Sequence, residues 1–270
     1  MKKISLLILL ALSIVFCFSG CSNEEKEKAT ADFNQVVSTV EKNNSDIETT
    51  INNLQALVDS ENAPLDNATI DNATTIITEA RTKTVEIPKI PSKTEEIRSA
   101  TEDLLKNADC SEILNKLQVA NDALSTSIKQ MQQVTNPKEA FIVERLTGLP
   151  NITGMEAVTE DNDPNGNLNK QGGYTSTVYF ASDLVDQSNV NGITIVDKGT
   201  NAGGAVEVYP TVEDAEKRND YLAAFDASGF MASGSHSVVG TIVIRTSDHL
   251  TASQQKEMEK NIYNSLIEIK

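Results

Sequence analysis

The chain has no tryptophan, only 4% aromatic residues, two histidines and three cysteines in 270 residues. Each shortage removes a class of function. Carbohydrate platforms built from stacked rings need the tryptophan and tyrosine that are scarce here. Cys17 and Cys21 fall in or directly after an N-terminal targeting segment, so Cys110 has no internal partner and a disulfide framework is excluded. Cys110 then reads as a small residue at a helix start, a reactive thiol or one half of an intermolecular bridge. Basic residues are also in short supply: 23 Lys and Arg stand against 39 Asp and Glu, a formal charge of −16. The deficit is spread evenly, with no acidic tail and no basic face. Such a field excludes nucleic acid as a partner and disfavours an anionic lipid surface, whereas it suits divalent cations.

What is present begins with a targeting signal. Met1-Lys2-Lys3 is followed by an apolar run from Ile4 to Phe18 and then by Ser19-Gly20-Cys21. A basic start, an apolar core too short to span a bilayer as a helix, and small residues before the cut form a bacterial secretion signal. Ser-Gly-Cys resembles the lipobox of bacterial lipoproteins, with Phe18 where that family prefers Leu. The resemblance implies cleavage before Cys21, a diacylglyceryl group on its thiol, and attachment to the extracytoplasmic face of the cell membrane. Each buried CH₂ of such chains contributes about 0.8 kcal/mol, enough with two or more chains for lasting attachment. A plain cleavable signal with a chance cysteine is the alternative.

After the signal (1–20), a polar stretch at 21–30 reads as a flexible tether. Residues 31–135 carry helical periodicity. Phe33, Val37, Val40, Asn44, Ile47, Ile51, Leu54 and Val58 alternate by fours and threes, with Asn44 the one polar member of the seam. Pro64 ends this helix. A second seam follows in Ile70, Ala73, Ile77, Ala80 and Thr84, closed by Pro88 and Pro91. Ile97, Ala100, Leu104 and Ala108 form a third, and Ile113 to Met131 a fourth after a break at Asp109-Cys110-Ser111-Glu112. Single apolar stripes must bury against each other, so an antiparallel helical bundle is expected.

Asn136-Pro137 marks a boundary, with Asn as cap and Pro in the first turn of a new helix. Beyond it lie 12 of the 13 glycines and all five tyrosines. Strands are expected at Ile152–Val158, Tyr174–Ala181, Gly192–Val196, Ala205–Tyr209 and Val238–Arg245. Helices are expected after Thr211 and after the capping box Thr251-Ala-Ser-Gln254. Residues 136–270 therefore read as an α+β domain, a mostly antiparallel sheet with helices on one face.

The sharpest chemical signal is Asp161-Asn-Asp-Pro-Asn-Gly-Asn-Leu168. Oxygen side chains at Asp161, Asp163 and Asn165, with Gly166 and the backbone at Asn167, resemble the start of an EF-hand calcium loop. Gly172 stands where that loop supplies a bidentate Glu, and a strand rather than a helix precedes it. A self-capping Asp/Asn/Gly turn is the competing reading. His236 and His249 flank the expected strand Val238–Arg245, roughly 35–40 Å apart if fully extended, which separates them too far for one metal centre. There is no Gly-x-Ser-x-Gly elbow. Gly199-Thr-Asn-Ala-Gly-Gly204 lacks the Gly-Lys-Ser/Thr ending of a phosphate loop. No catalytic residues are assigned.

From Phe141 onward the chain resembles a domain of lipoproteins and surface proteins of low-GC Gram-positive bacteria. The residues that carry the likeness are Ile152-Thr-Gly, Ala157 to Gly166, Gly172-Gly-Tyr174, Val206-Glu-Val-Tyr209, Ala215 to Leu222 and Ser233-Gly-Ser-His236. The resemblance covers about half of the protein and implies no activity. Together these features lead to the expectation of a lipid-anchored, non-enzymatic surface protein. Its helical half would be a stalk, and its C-terminal half an interaction or ligand-binding module for an envelope or surface partner. An envelope hydrolase using carboxylates and one histidine is the alternative.

Overall fold

The computed structural model describes residues 22–228 and 234–270. The signal, the lipobox and Cys21 lie outside the described residues, as does Ser233. The chain divides into two compact units, one of residues up to 49 with 81–114, the other of 50–80 with 115–270. Among the described residues, no helix is long and apolar enough to cross a membrane.

The first unit is built on the N-terminal part of α1 (Ser22–Val58) and on α3 (Thr94–Lys106). Ser22–Thr30 is not a loose tether. It is the start of α1, and Ala29 is buried with Phe33, Val36 and Val40 against Ile97 and Leu104 of α3. Residues 83–91 are extended, because Pro88 and Pro91 deny them a helix. Val85 and Ile87 turn inward while Thr84, Glu86 and Pro88 stay exposed, the period of two that an extended chain imposes. Asn44, the polar member of the seam, reaches this segment. Its Nδ2 donates to the Val85 carbonyl (2.8 Å) and its Oδ1 accepts from the Val85 amide (3.0 Å). One side chain thus satisfies a backbone pair that has neither helix nor sheet to satisfy it.

The expected all-antiparallel arrangement does not hold here. Glu25 meets Arg98 and Asn43 meets Ala108, so α3 runs parallel to α1. The return between them is made by the extended segment instead of a helix. In the second unit, α2 (Ala68–Arg81) and α4 (Ser111–Gln133) are antiparallel. Glu79 pairs with Lys116, whereas Leu65 and Asp66 donate their amides to Ser127. The seam residues Ala73, Ile77, Ala80, Leu117, Ala120 and Leu124 are buried as expected.

The α+β class holds for the rest of the second unit. Five strands, β1 (Ile152–Ala157), β2 (Ser176–Ser182), β3 (Gly203–Val208), β4 (His236–Val239) and β5 (Ile242–Thr246), form one antiparallel sheet in the order β1-β2-β3-β5-β4. On one face Val178, Phe180, Val206, Ile242 and Ile244 pack under α5 (Glu139–Leu146) and α8 (Ala252–Ile267). The other face is covered too, a departure from the one-sided layer expected. Tyr179, Ala205 and Val243 pack against α6 (Ile195–Lys198) and α7 (Val212–Ser228). β2 and β3 are buried on both sides, so both faces need a cover.

Three local departures have clear causes. Gly192–Val196 is not a strand. Thr194 and Asp197 form a capping box that starts α6. Val238–Arg245 is not one strand but a hairpin, β4 and β5 folding back at Gly240-Thr241. Gly240 has φ +57°, and a Cβ there would collide with Val134. Finally, Asn136 is not a cap: it sits at φ +46°, and Lys138 occupies the N-cap position of α5 without a side-chain capping bond. The hairpin tip grips the end of α4, the Thr241 amide donating to the Val134 carbonyl (3.1 Å) and the Asn136 amide to Thr241 Oγ1 (2.7 Å).

Candidate ligand-binding site

The α6–α7 face of the sheet carries a charge that no apolar packing explains. Glu207 points from the middle of β3 into this face and is 1% exposed. A carboxylate removed from water must have its oxygens filled, and here they accept four bonds. Arg218 of α7 forks onto it, Nε to Oε2 at 2.9 Å and Nη2 to Oε1 at 3.2 Å. Arg245 of β5 donates from Nη1 to Oε1 at 2.8 Å, and the Tyr209 hydroxyl donates to Oε2 at 2.9 Å. Burial alone would push the Glu207 carboxyl up. The guanidinium groups of Arg245 and Arg218 outweigh it and hold the group below the ordinary glutamate range. The same burial, with Glu207 beside it, raises the Tyr209 hydroxyl.

Above this floor lie two clefts that share Asn165 and Arg218. One, of about 360 Å³, is lined by Tyr179, Lys198, Gly199, Asn201 and Arg245 besides the shared pair. The other, of about 620 Å³, is lined by Gly172, Tyr174, Tyr209, Lys217 and Tyr221. The Arg218 guanidinium also stands 5.6 Å from the centre of the Tyr221 ring. The loop between β1 and β2 supplies Asn165, and it is fixed by its own side chains. Asp163 Oδ1 accepts from the Asn165 amide (3.0 Å) and the Tyr174 hydroxyl; its Oδ2 accepts from the Leu168 amide (2.8 Å). Partial burial opposes ionisation of Asp163, but these donors prevail and hold its carboxyl below the usual range.

The structure therefore brings Asp163 and Asn165 together through a turn and places Asn165 and Asn167 at the cleft wall. Asp161 is exposed and makes no bond to Asp163. Among the described residues, no group of three or more His, Cys, Asp or Glu side chains is gathered for a metal ion. The histidine separation expected from one long strand is overturned by the hairpin. β4 starts where β5 ends, so His236 and His249 leave the same end. His236 is committed to α7, Nδ1 lying 2.6 Å from Asn219 Oδ1 and Nε2 3.1 Å from Asp226 Oδ2. Ser235 donates to Glu259 of α8 instead (2.6 Å). Cys110 is free and half-buried, and that burial pushes its thiol up.

Sequence reasoning missed Glu207, Arg218 and Arg245. The one signal was a glutamate inside Ala205-Val-Glu-Val-Tyr209, which needs a cation partner only if both faces of the strand are covered. No protein family, curated protein or solved structure matches the chain. The fold and site define an α+β module with a polar, arginine-floored double cleft.

Proposed function

We propose that this is a lipid-anchored, non-enzymatic protein of the extracytoplasmic membrane face, whose C-terminal α+β module binds a ligand in the paired clefts. The helical region acts as a spacer above the membrane. The observation that carries the reading is the Glu207–Arg218–Arg245 cluster beneath the clefts. It fixes the floor before any ligand arrives, and pre-organisation lowers the cost of binding. The Cys21 lipobox supports the anchoring half of the proposal.

Two measurements test it. Cys21→Ala should leave the protein unprocessed or shed; a variant that matures and stays on the membrane refutes the anchor. The soluble mature chain, immobilised and exposed to envelope extract, should retain a ligand that Asn165→Trp loses, because Asn165 forms the shared wall. Equal retention by both proteins refutes the cleft as the binding site.

A further inference from the structure

We infer that the paired clefts recognise a carboxylate, bound by the Arg245 and Arg218 guanidinium groups with Lys198 at the rim. The inference rests on the binding role proposed above and adds the ligand's chemistry. Its basis is a lysine without an ion pair and a guanidinium donor without an acceptor. The cleft that holds Arg245 presents three cations, Lys198, Arg218 and Arg245. The carboxylates nearby are Glu207 beneath the floor, Asp197 at the rim and Glu156, whose Oε2 accepts from the Val196 amide (3.0 Å). Asp197 is already occupied by the Thr194 amide (3.0 Å) and the Ile193 amide (3.3 Å). Lys198 bonds only the neutral Gln187, Nζ to Oε1 at 3.2 Å and to its carbonyl at 3.5 Å. Among the described residues Lys198 forms no ion pair, inside a protein of net charge −16.

The donors tell the same story. Glu207 consumes Nε and Nη2 of Arg218 and Nη1 of Arg245. Nη1 of Arg218 and Nη2 of Arg245 are not used by Glu207, and Arg245 Nε is buried without an acceptor. Two guanidinium groups pinned by a shared carboxylate lose little further freedom when a second carboxylate arrives, and a planar fork suits a planar anion. Continuity with the tyrosine-lined cleft gives the rest of the ligand a place, so the acid is the head group of a longer molecule.

The test uses the soluble mature chain, Cys21→Ala, and follows the Arg218 and Arg245 Nε–Hε signals by NMR at constant ionic strength. The probes are N-acetylglycine, its neutral amide N-acetylglycinamide, and inorganic phosphate. N-acetylglycine should shift both signals saturably, and the amide should not. Arg245→Gln should raise the apparent Kd about tenfold. Because that variant also loosens Glu207, Lys198→Gln provides the independent check. It should raise Kd about threefold and leave the thermal midpoint unchanged. Saturation by phosphate alone overturns the carboxylate assignment, and so does the absence of saturation by any probe. Equal binding of the acid and its amide overturns the anion inference yet leaves the binding role standing, whereas failure of the extract experiment removes the role itself.

Discussion

Replacing Glu207 with Gln removes one charge and leaves two guanidinium groups, 12% and 25% exposed, facing each other across an uncharged amide. Breaking a buried ion pair by deleting one partner costs about 3–5 kcal/mol. Arg218 reaches solvent and can relax, so the lower part of that range applies, about 3 kcal/mol. For a unit of this size that is on the order of 9 °C in thermal midpoint. The triple variant Glu207→Leu, Arg218→Met, Arg245→Met makes the opposite test. Removing the whole cluster removes the desolvation penalty with it, and the apolar side chains fill the space, so the triple variant should lie within about 1 kcal/mol of the parent. Urea denaturation at pH 7, following the second unit by tyrosine fluorescence, measures both. A single variant within 1 kcal/mol of the parent, or a triple variant worse than the single one, would refute the reasoning.

The same carboxylate sets an acid limit. Its folded pKa lies below the ordinary glutamate value of 4.5, so its contribution is complete above that value and is lost as pH falls through the folded pKa. The stability gap between the parent and Glu207→Gln should accordingly be constant at neutral pH and close as the medium is made acid below about pH 4.5. A gap that widens on acidification would be the wrong sign. Asp163→Ala strips the acceptor from two loop amides and the Tyr174 hydroxyl and should cost about 1–3 kcal/mol. Because those oxygens are occupied, millimolar calcium should leave the parent's thermal midpoint unchanged, and a rise that Asp161→Ala abolishes would restore the cation reading. In the first unit, Asn44→Leu leaves the Val85 amide and carbonyl without their partner and should lower stability by about 1–3 kcal/mol, measured by helical circular dichroism against urea.

Periodicity alone located the helical seams, because a helix that must bury one stripe writes that stripe at fixed spacing. Phe33, Val40, Ile47 and Leu54 are buried where the pattern put them. The capping box at Thr251 and Gln254 likewise forms as read, since both partners lie within three residues. Where the outcome depended on one local choice, the sequence misled: the strand read through Gly240 turns back there, because its partner is its own second half. The direction of α3 was misread as antiparallel, since a parallel return requires only that residues 83–91 be extended, which the prolines permit but do not demand. The paired clefts were the least legible part. Glu207, Arg218 and Arg245 are spread over 39 residues and three elements, each an unremarkable charge in its own stretch of chain. Only the antiparallel β3–β5 pairing and the seating of α7 on that face bring three charges to one point, where burial turns them from solvated side chains into a site.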